Sequence, residues 1–271
     1  MRNDNETFVM DTLFRLTACA SEDMLFDEIF SQVNKFKNTS SSLFFAGDDN
    51  IGKYLVYRHN QETSAKYLFL VHADRLMFKE RRMEIFKKDY NNNWFIRGQL
   101  DNIISVAIVL YLIKLGYPID CLFVSREEIL ESHPQIIEYL NQYDVDDKYK
   151  MIDLDIDIDK TVDGDVVNGG YITLSDTAHY MKLDRDMINE IEAYAMSVDI
   201  PITKFDSFNP AQAGKYLQTN PSNKKIIYMG LPLTCYHSPE ETMSWQTVEN
   251  TLNLLTGFFQ SKNIKPCVPM V

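Results

Sequence analysis

Two adjacent carboxylates, Glu127 and Glu128, follow the apolar run of residues 121–124. That run predicts a short buried strand, because consecutive apolar residues bounded by polar ones are typical of a strand covered on both faces. Where the strand ends the chain turns, so that both carboxylates can reach one cleft. A carboxylate removed from water needs a nearby cation or a proton. The pair therefore indicates a site that holds one of these.

Further residues that could supply or bind a cation lie at the ends of other apolar runs. These candidates are His72, Asp74, Asp101, Asp153, Asp155 and His237. Imidazole nitrogens and carboxylate oxygens are both ligands of zinc. Two histidines and several carboxylates at the ends of different strands therefore predict a site for two zinc ions.

Five short motifs occur in an order that resembles the co-catalytic zinc exopeptidases. They are HAD at residues 72–74, GQLDN at 98–102, EE at 127–128, an aspartate in the run 150–157, and HSPEE at 237–241. The chain is most similar to the glutamyl and tetrahedral (endoglucanase-like) aminopeptidases, and the resemblance covers nearly all of it. The resemblance implies an α/β fold with a mostly parallel, mixed sheet and helices on both faces.

The segment of residues 75–97 departs from that family. The glutamyl and tetrahedral aminopeptidases carry an inserted dimerisation domain between their HxD and GxxDN motifs, whereas this chain has only this short stretch. The stretch is basic and aromatic, and it fits a flap or a hairpin better than a second domain. We therefore expect a single domain over residues 1–271, without the inserted dimerisation domain.

The resemblance assigns roles to seven residues. Five would bind two divalent ions, which we expect to be zinc, with cobalt or manganese as alternatives: His72, Asp101 as the bridge, Glu128, Asp155 and His237. Asp74 would orient the imidazole of His72, and Glu127 would be the general base. Asp153 is the alternative to Asp155, which we prefer because it lies nearer the end of its strand.

Other polar residues receive simpler interpretations from the sequence. Asp157 and Asp159 are expected to be solvated, and Glu240 and Glu241 to favour the dipole of the last helix. The remaining histidines are interpreted as loop or structural residues: His59, His133 and His179. The four cysteines form no CxxC pair, and Cys121 and Cys235 are expected to be buried free thiols, which fits a reducing compartment.

Strand-like and helix-like patterns alternate along the chain, which favours a mostly parallel sheet covered by helices. The apolar periodicity predicts helices over residues 7–17, 22–36, 102–114, 136–143, 184–197 and 247–259. It predicts strands over residues 42–47, 53–58, 66–71, 119–125, 150–157, 201–205 and 224–230. Residues 48–52 have the composition of a hairpin turn between the first two strands.

Composition excludes several classes of function. The formal net charge of −12 and the pI near 4.9 argue against general nucleic-acid binding, which needs a basic face. The first residues lack the apolar core of a signal peptide. The longest apolar run, residues 103–113, is shorter than the ~20 residues that span a bilayer. We therefore expect a cytoplasmic protein with no membrane partner.

The sequence as a whole predicts a metal-dependent aminopeptidase that acts on short peptides or amino-acid amides, with a homo-oligomer as an open alternative to a monomer. Two other functions stay open. One is a deacylase of N-acyl amino acids on the same scaffold, and the other is a binding protein that keeps the fold without turnover. The second is kept because residues 205–214 match the substrate loop of the family poorly. No GxGxxG or Walker motif supports nucleotide binding.

Overall fold

The computed structural model describes residues 4–37, 41–59, 66–75, 83–87, 94–128, 131–142, 149–158, 170–178, 181–204 and 225–267. The helices in these residues are α1 (Asp4–Thr17), α2 (Glu22–Phe36), α3 (Ile103–Lys114), α4 (His133–Gln142), α5 (Arg185–Ser197) and α6 (Trp245–Ser261). None of them is long and apolar enough to cross a membrane.

The strands are β1 (Ser41–Ala46), β2 (Tyr54–His59), β3 (Lys66–His72), β4 (Glu84–Lys87), β5 (Trp94–Arg97), β6 (Ile119–Val124), β7 (Tyr149–Ile158), β8 (Ile172–Ser175), β9 (Thr177–Ala178), β10 (Met181–Lys182), β11 (Ile202–Lys204), β12 (Ile226–Leu233) and β13 (Thr242–Ser244). Eight of them form the main sheet, in the order β1-β2-β6-β3-β7-β12-β8-β11. Its four central strands, β6, β3, β7 and β12, run parallel to one another, whereas β2 and β8 pair with this group antiparallel. The predicted α/β class with a mixed, mostly parallel sheet is confirmed.

Helices cover both faces of this sheet. On one face, the rings of Tyr67 and Phe69 in β3 pack against Phe259 of α6, with centroids 5.0 and 6.2 Å apart. On the other face, Tyr139 of α4 donates a hydrogen bond to Asp120 of β6. Strands that are covered twice need apolar residues on both sides, which is why β3 and β6 are almost continuously apolar.

A second, three-stranded antiparallel sheet lies beside the first, in the order β13-β5-β4. Strands β4 and β5 pair with each other as antiparallel neighbours within the segment for which we expected a flap or a hairpin. Strand β5 also pairs with β13, so that Arg97 faces Thr242 across the ladder. This pairing brings the chain that leads to Asp101 next to the chain that follows His237.

The sequence patterns located most elements and missed a few. Ser21 caps α2 as predicted, because its hydroxyl accepts a hydrogen bond from the Met24 N–H at 3.3 Å. Strand β8 was not predicted, since its four residues directly follow a segment rich in turn residues. Strand β13 was not predicted either, because three residues before a helix carry no periodic signal.

Candidate metal centre

The candidate ligands converge at one edge of the main sheet. His72 is the last residue of β3, Glu127 and Glu128 follow β6, and Asp155 lies near the end of β7. His237 comes four residues after the end of β12. The carboxyl ends of neighbouring parallel strands meet at the same edge of a sheet, which is where α/β proteins bind ligands. The topology therefore brings residues far apart in sequence into one place.

The first group of ligand atoms surrounds His72. Its Nε2 atom lies 3.1 Å from Oδ1 of Asp101 and 3.1 Å from Oδ1 of Asp155. All three side chains are buried, and their ligand atoms lie within 4.8 Å of one another. One imidazole nitrogen and two carboxylate oxygens that face a common point are a donor set suited to a zinc-type ion.

The other nitrogen of the same imidazole faces Asp74. Nδ1 of His72 lies 3.3 Å from Oδ1 of Asp74, and Oδ2 of Asp74 accepts a hydrogen bond of 3.0 Å from the N–H of Glu128. A metal-binding histidine usually has its second nitrogen next to a carboxylate, which fixes the tautomer and the ring orientation. Asp74 therefore lies where it can orient His72, and it also holds the backbone of Glu128.

The second group of ligand atoms surrounds His237. Its Nε2 atom lies 3.5 Å from Oδ2 of Asp101 and 3.5 Å from Oε2 of Glu128. These three ligand atoms also lie within 4.8 Å of one another. The side chain of His237 is 40% exposed, whereas those of Asp101 and Glu128 are buried. This group is therefore open to solvent on one side.

Asp101 belongs to both groups, with Oδ1 toward His72 and Oδ2 toward His237. Oδ1 is buried and accepts no hydrogen bond from the described residues. A buried carboxylate oxygen without a donor fits a metal ligand, because a cation would replace the missing bonds. The peptide bond that joins Asp101 to Asn102 is cis. The residues present thus fit two ions that share one carboxylate.

Glu127 lies beside the first group without belonging to it. Its Oε2 atom is 3.9 Å from Nε2 of His72, and its side chain is 13% exposed. A general base for a two-metal site needs a carboxylate close to the ions but not bound to them. The position of Glu127 meets that requirement.

Side chains from other elements hold the loop that carries Glu127 and Glu128. Gln135 of α4 is fully buried; its Oε1 accepts from the Ser125 N–H at 3.0 Å, and its Nε2 donates to the Ser125 carbonyl at 3.1 Å. Arg126 adopts a left-handed backbone conformation with φ of 60°. Its guanidinium donates to the carbonyls of Asn50 and Asp49 at 2.7 and 2.9 Å.

The turn between β1 and β2 contacts this loop closely. A Cβ atom at Gly52 would lie 2.8 Å from side-chain atoms of Ser125, Arg126 and Gln135, and the φ of Gly52 is +86°. Only glycine accepts both the left-handed backbone and this approach without strain. The first hairpin of the chain therefore supports the loop that carries two of the candidate site residues.

Glu241 is a site residue that the sequence interpretation missed. It is 1% exposed, and its carboxylate accepts three backbone hydrogen bonds, from the N–H groups of Leu100, Asp101 and His237. The interpretation of Glu241 as a charge that favours the last helix is wrong. The residue directly precedes β13 in the sequence, and its carboxylate is bonded to the three N–H groups named above and not to the start of the helix. The HSPEE motif itself was the available signal, since it places a second carboxylate close to a candidate ligand.

Burial and crowding of carboxylates shift the protonation of the group. Burial, together with nearby Asp101, raises the pKa of Glu128 to about 8 and that of Glu241 to about 7. Burial also raises the pKa of Glu127 well above its usual value. Burial acts to lower the pKa of His72, but Asp155 and Glu127 outweigh it and raise that pKa well above its usual value.

The raised carboxyl pKa values have two causes: burial, which disfavours the charged form, and then the crowding of more carboxylates than cations in one place. Burial tends to raise the pKa of Asp101, yet the adjacent imidazoles of His237 and His72 lower it. In the described part of the chain, these two histidines are the only cationic groups paired with the cluster. Divalent cations would relieve the excess of negative charge.

The remaining predicted residues fall outside the cluster. Asp153 is fully buried but belongs to neither ligand group, so the geometry favours Asp155. Asp157 is buried and accepts a hydrogen bond of 2.8 Å from Thr173, so the expectation that it is solvated is wrong. Strand β8, which supplies Thr173, was the missing neighbour. His179, Asp159 and residues 205–214 lie outside the described residues.

The other two histidines and the cysteines differ in part from expectation. His59 is buried at the end of β2 and His133 begins α4, so neither is a loop residue. Cys121 is buried as predicted, whereas Cys235 is exposed. Cys235 adopts a φ of 57° in the turn after β12, where the apolar run has already ended. All four cysteines are free.

A cavity of about 220 Å³ borders the loop that carries His237. Its lining residues are Phe86, Phe95, Arg97, Thr234, Cys235, Glu240 and Thr242. Most of them belong to the three-stranded sheet or to the ends of the 234–242 loop. This loop therefore has a candidate metal ligand at His237 and a cavity along its flanking residues.

Comparison of the sequence with protein-family models and with curated proteins finds no match. Solved structures do share the fold. An aminopeptidase from the archaeon Desulfurococcus kamchatkensis has a TM-score of 0.70 at 14% identity, over 98% of this chain and 99% of that one. Yeast aminopeptidase 1 has a TM-score of 0.66 at 9% identity, over 95% of this chain and 97% of that one.

A third solved structure is the Pyrococcus horikoshii TET1 peptidase, which can assemble into a tetrahedron or a large octahedral shell. It has a TM-score of 0.64 at 13% identity, over 91% of this chain and 98% of that one. At such low identity these likenesses establish the fold. The resemblance stated from the motifs is thus confirmed at the level of the fold, which this chain shares with solved aminopeptidases.

Proposed function

We propose that this protein is a metal-dependent aminopeptidase that removes N-terminal residues from short peptides. The observation that carries the proposal is the pair of three-ligand groups that share Asp101, with Glu127 beside them and outside both. The fold shared with solved aminopeptidases supports it. The free thiols support a cytoplasmic location, because cysteines stay reduced there. The assembly of the TET1 peptidase supports self-association as part of the proposal.

Each residue of the cluster has a task in this proposal. His72, Asp101 and Asp155 would hold one divalent ion, zinc in the first instance, and Asp101, Glu128 and His237 would hold the other. Ions held by these residues would supply Lewis-acid chemistry, polarising the scissile carbonyl and lowering the pKa of the attacking water. Asp74 keeps the imidazole of His72 turned with Nε2 toward Asp101 and Asp155.

Glu127 would move the proton. Its carboxylate takes one proton from the attacking water as the oxygen adds to the carbonyl carbon, and it returns that proton to the nitrogen of the leaving amine as the C–N bond breaks. The proton balance closes without any other group. The low exposure of Glu127 favours this role, because a base shielded from bulk water does not lose its proton to solvent.

The proposal is tested with Glu127→Gln, which removes the base and keeps the shape of the side chain. We expect about two zinc ions per chain in both proteins, and a loss of turnover of about 10²- to 10⁴-fold in the variant. The measurements are elemental analysis and hydrolysis rates on aminoacyl amides and on N-acyl amino acids. The exposed Glu131 of the same loop supplies the matched control, and Glu131→Gln should behave like the parent protein.

Three outcomes would contradict the proposal in different ways. A chain that binds no ion after reconstitution removes the basis for the site. Hydrolysis of N-acyl amino acids without hydrolysis of aminoacyl amides identifies a deacylase instead. Bound metal without turnover of either class identifies a binding protein.

A further inference from the structure

Three separate loops carry the ligands of the second group, and Glu128 lies on the one that follows β6. Asp101 lies in the turn between β5 and α3, and His237 lies in the turn between β12 and β13. The two positions are more than a hundred residues apart in the sequence. A metal group that draws on both loops therefore needs something to fix their distance.

Glu241 connects the backbones of these two loops. Its Oε2 atom accepts hydrogen bonds from the N–H groups of Leu100 at 2.6 Å and Asp101 at 3.0 Å. Its Oε1 atom accepts from the N–H of His237 at 3.0 Å. The backbone carbonyl of Glu241 also accepts from the N–H of Gly98 at 2.9 Å. One buried side chain is therefore bonded to the main chain of the bridging ligand and to that of the histidine ligand.

The chemistry of this contact requires a carboxylate. Three N–H donors converge on two oxygen atoms, and an ionised carboxylate is the side chain that only accepts. A glutamine amide has one oxygen, so its NH₂ group would face either the N–H of His237 or those of Leu100 and Asp101. Hydrogen bonds to a charged acceptor in a buried place are about twice as strong as neutral ones.

The first group shares this contact only through Asp101, and its histidine does not depend on it. His72 belongs to β3, which is hydrogen-bonded to β6 on one side and to β7 on the other. His237, in contrast, has a left-handed φ of 56° in a turn, and its ring stacks on that of Tyr236 with centroids 3.7 Å apart. The position of His237 thus rests on few contacts, of which the one to Glu241 is buried.

We propose that Glu241 is a positioning residue for the second metal group, Asp101, Glu128 and His237, and that it sets the affinity of this group for its ion more than that of the His72 group. The inference rests on the proposed function in so far as both need metal binding. It concerns affinity for the ion, so it does not depend on which bond the protein hydrolyses.

The test is a zinc titration of the full chain against a competing chelator, with Glu241→Gln beside the parent protein. We expect two binding steps in the parent and a 10- to 100-fold weaker second step in the variant, the range typical of residues that hold metal ligands. The first step should change less than the second, since two of its three ligands, His72 and Asp155, lie on strands of the sheet and only Asp101 is bonded to Glu241. Glu240→Gln is the matched control, because Glu240 is the exposed neighbour, and it should leave both steps unchanged.

Two results would overturn the inference. If each of the two ions binds to Glu241→Gln as tightly as it binds to the parent, the contact has no effect on metal binding. An equal loss at both steps, in a variant with a native circular dichroism spectrum, would show a general structural role. Should the glutamine variant fail to fold, Glu241→Asp keeps the charge, loses one methylene of reach and gives the same test.

The same titration separates this inference from the proposed function. A parent protein that binds two ions and hydrolyses no substrate contradicts the aminopeptidase proposal, while the comparison of the two binding steps still decides the role of Glu241. A parent protein that binds no ion overturns both.

Discussion

The two halves of the candidate metal centre are built in different ways. In the first half, His72 and Asp155 lie on adjacent strands in the middle of the sheet, and the His72 side chain is 1% exposed. In the second half, His237 lies in a turn and is 40% exposed. Asp101 is common to both. The sheet fixes the first half through its ladder of hydrogen bonds, whereas single side chains such as Glu241 fix the second.

This difference teaches where each half is vulnerable. A ligand on a strand keeps its position as long as the sheet exists, because neighbouring residues on both sides share the constraint. A ligand in a turn keeps its position only through the few contacts of that turn. The two halves should therefore respond differently to substitution, in stability as well as in metal binding.

The largest effect is expected from replacing His72 and His237, each in a separate variant. His72→Ala leaves Asp101 and Asp155 buried without their cationic partner, which typically costs about 3–5 kcal/mol. His237→Ala breaks pairs that are open to solvent, which typically cost about 0–1 kcal/mol. Urea denaturation of the metal-free proteins near pH 7 measures both, and elemental analysis should find His237→Ala with one ion. Equal destabilisation by the two variants would contradict the distinction between the halves.

A smaller effect is expected from Arg126→Met. The guanidinium holds the loop of Glu127 and Glu128 against the first hairpin, so its loss should lower turnover about tenfold, as a displacement of catalytic groups by a fraction of an ångström does. Zinc binding by the His72 group should stay unchanged, since none of its ligands lies on this loop. Arg126→Lys keeps a cation and is the matched control for charge. A variant with normal turnover would show that the loop holds its shape without this contact.

The smallest effect is expected from a pair of glutamates that belongs to neither half of the metal centre. This pair makes the stability of the whole protein depend on pH, and the comparison of the two halves has to allow for it. Burial and the adjacent Glu6 raise the pKa of Glu249 to about 7 from a usual value of 4.5. The folded state therefore binds this proton more tightly than the unfolded state, and stability falls as the pH rises from about 4.5 through about 7. The parent should lose about 1 kcal/mol or less of its free energy of unfolding over this pH range, because solvent screens the half-exposed pair. Glu249→Gln, which cannot ionise, should not lose it.

Denaturation of the metal-free protein at pH 5 and at pH 8 measures this dependence on pH. The difference between Glu249→Gln and the parent should be larger at pH 8, because the parent carboxyl is ionised there. Glu138→Gln, at an exposed position of α4, is the control and should show no such difference. The same result at both pH values would rule out the carboxyl pair as the source.

The sequence predicted the first half of the centre better than the second. His72 and Asp155 end or interrupt apolar runs, and the carboxyl ends of parallel strands meet, so their convergence follows from the fold class. The motif HSPEE identified His237 but not the task of Glu241. The partners of Glu241 are backbone N–H groups, which every residue except proline carries, so no residue type in the sequence marks them.

The sequence patterns also led to wrong expectations about strand β8 and about the burial of two side chains. Strand β8 was missed because it is short and irregularly flanked. Its Thr173 donates a hydrogen bond to Asp157, which is therefore buried and not solvated as expected. Cys235 was expected to be buried as part of an apolar run, yet strand β12 ends two residues earlier, at Leu233. For Asp157 the neighbour that decides burial comes from another strand, whereas for Cys235 the end of its own strand decides.

The sequence by itself determined the six helices of the described residues, seven of the eight strands of the main sheet, the α/β class and the residue types that could bind two ions. Periodicity, helix caps and apolar runs are local properties, so they can be recognised in the sequence without a structure. Only the tertiary structure decided that Asp101 turns one oxygen toward each histidine and that Glu241 fixes two loops to each other. The physical reason is that these contacts join loops distant in sequence, whose separation is set by the pairing of β5 with β13 and by the packing of the whole sheet.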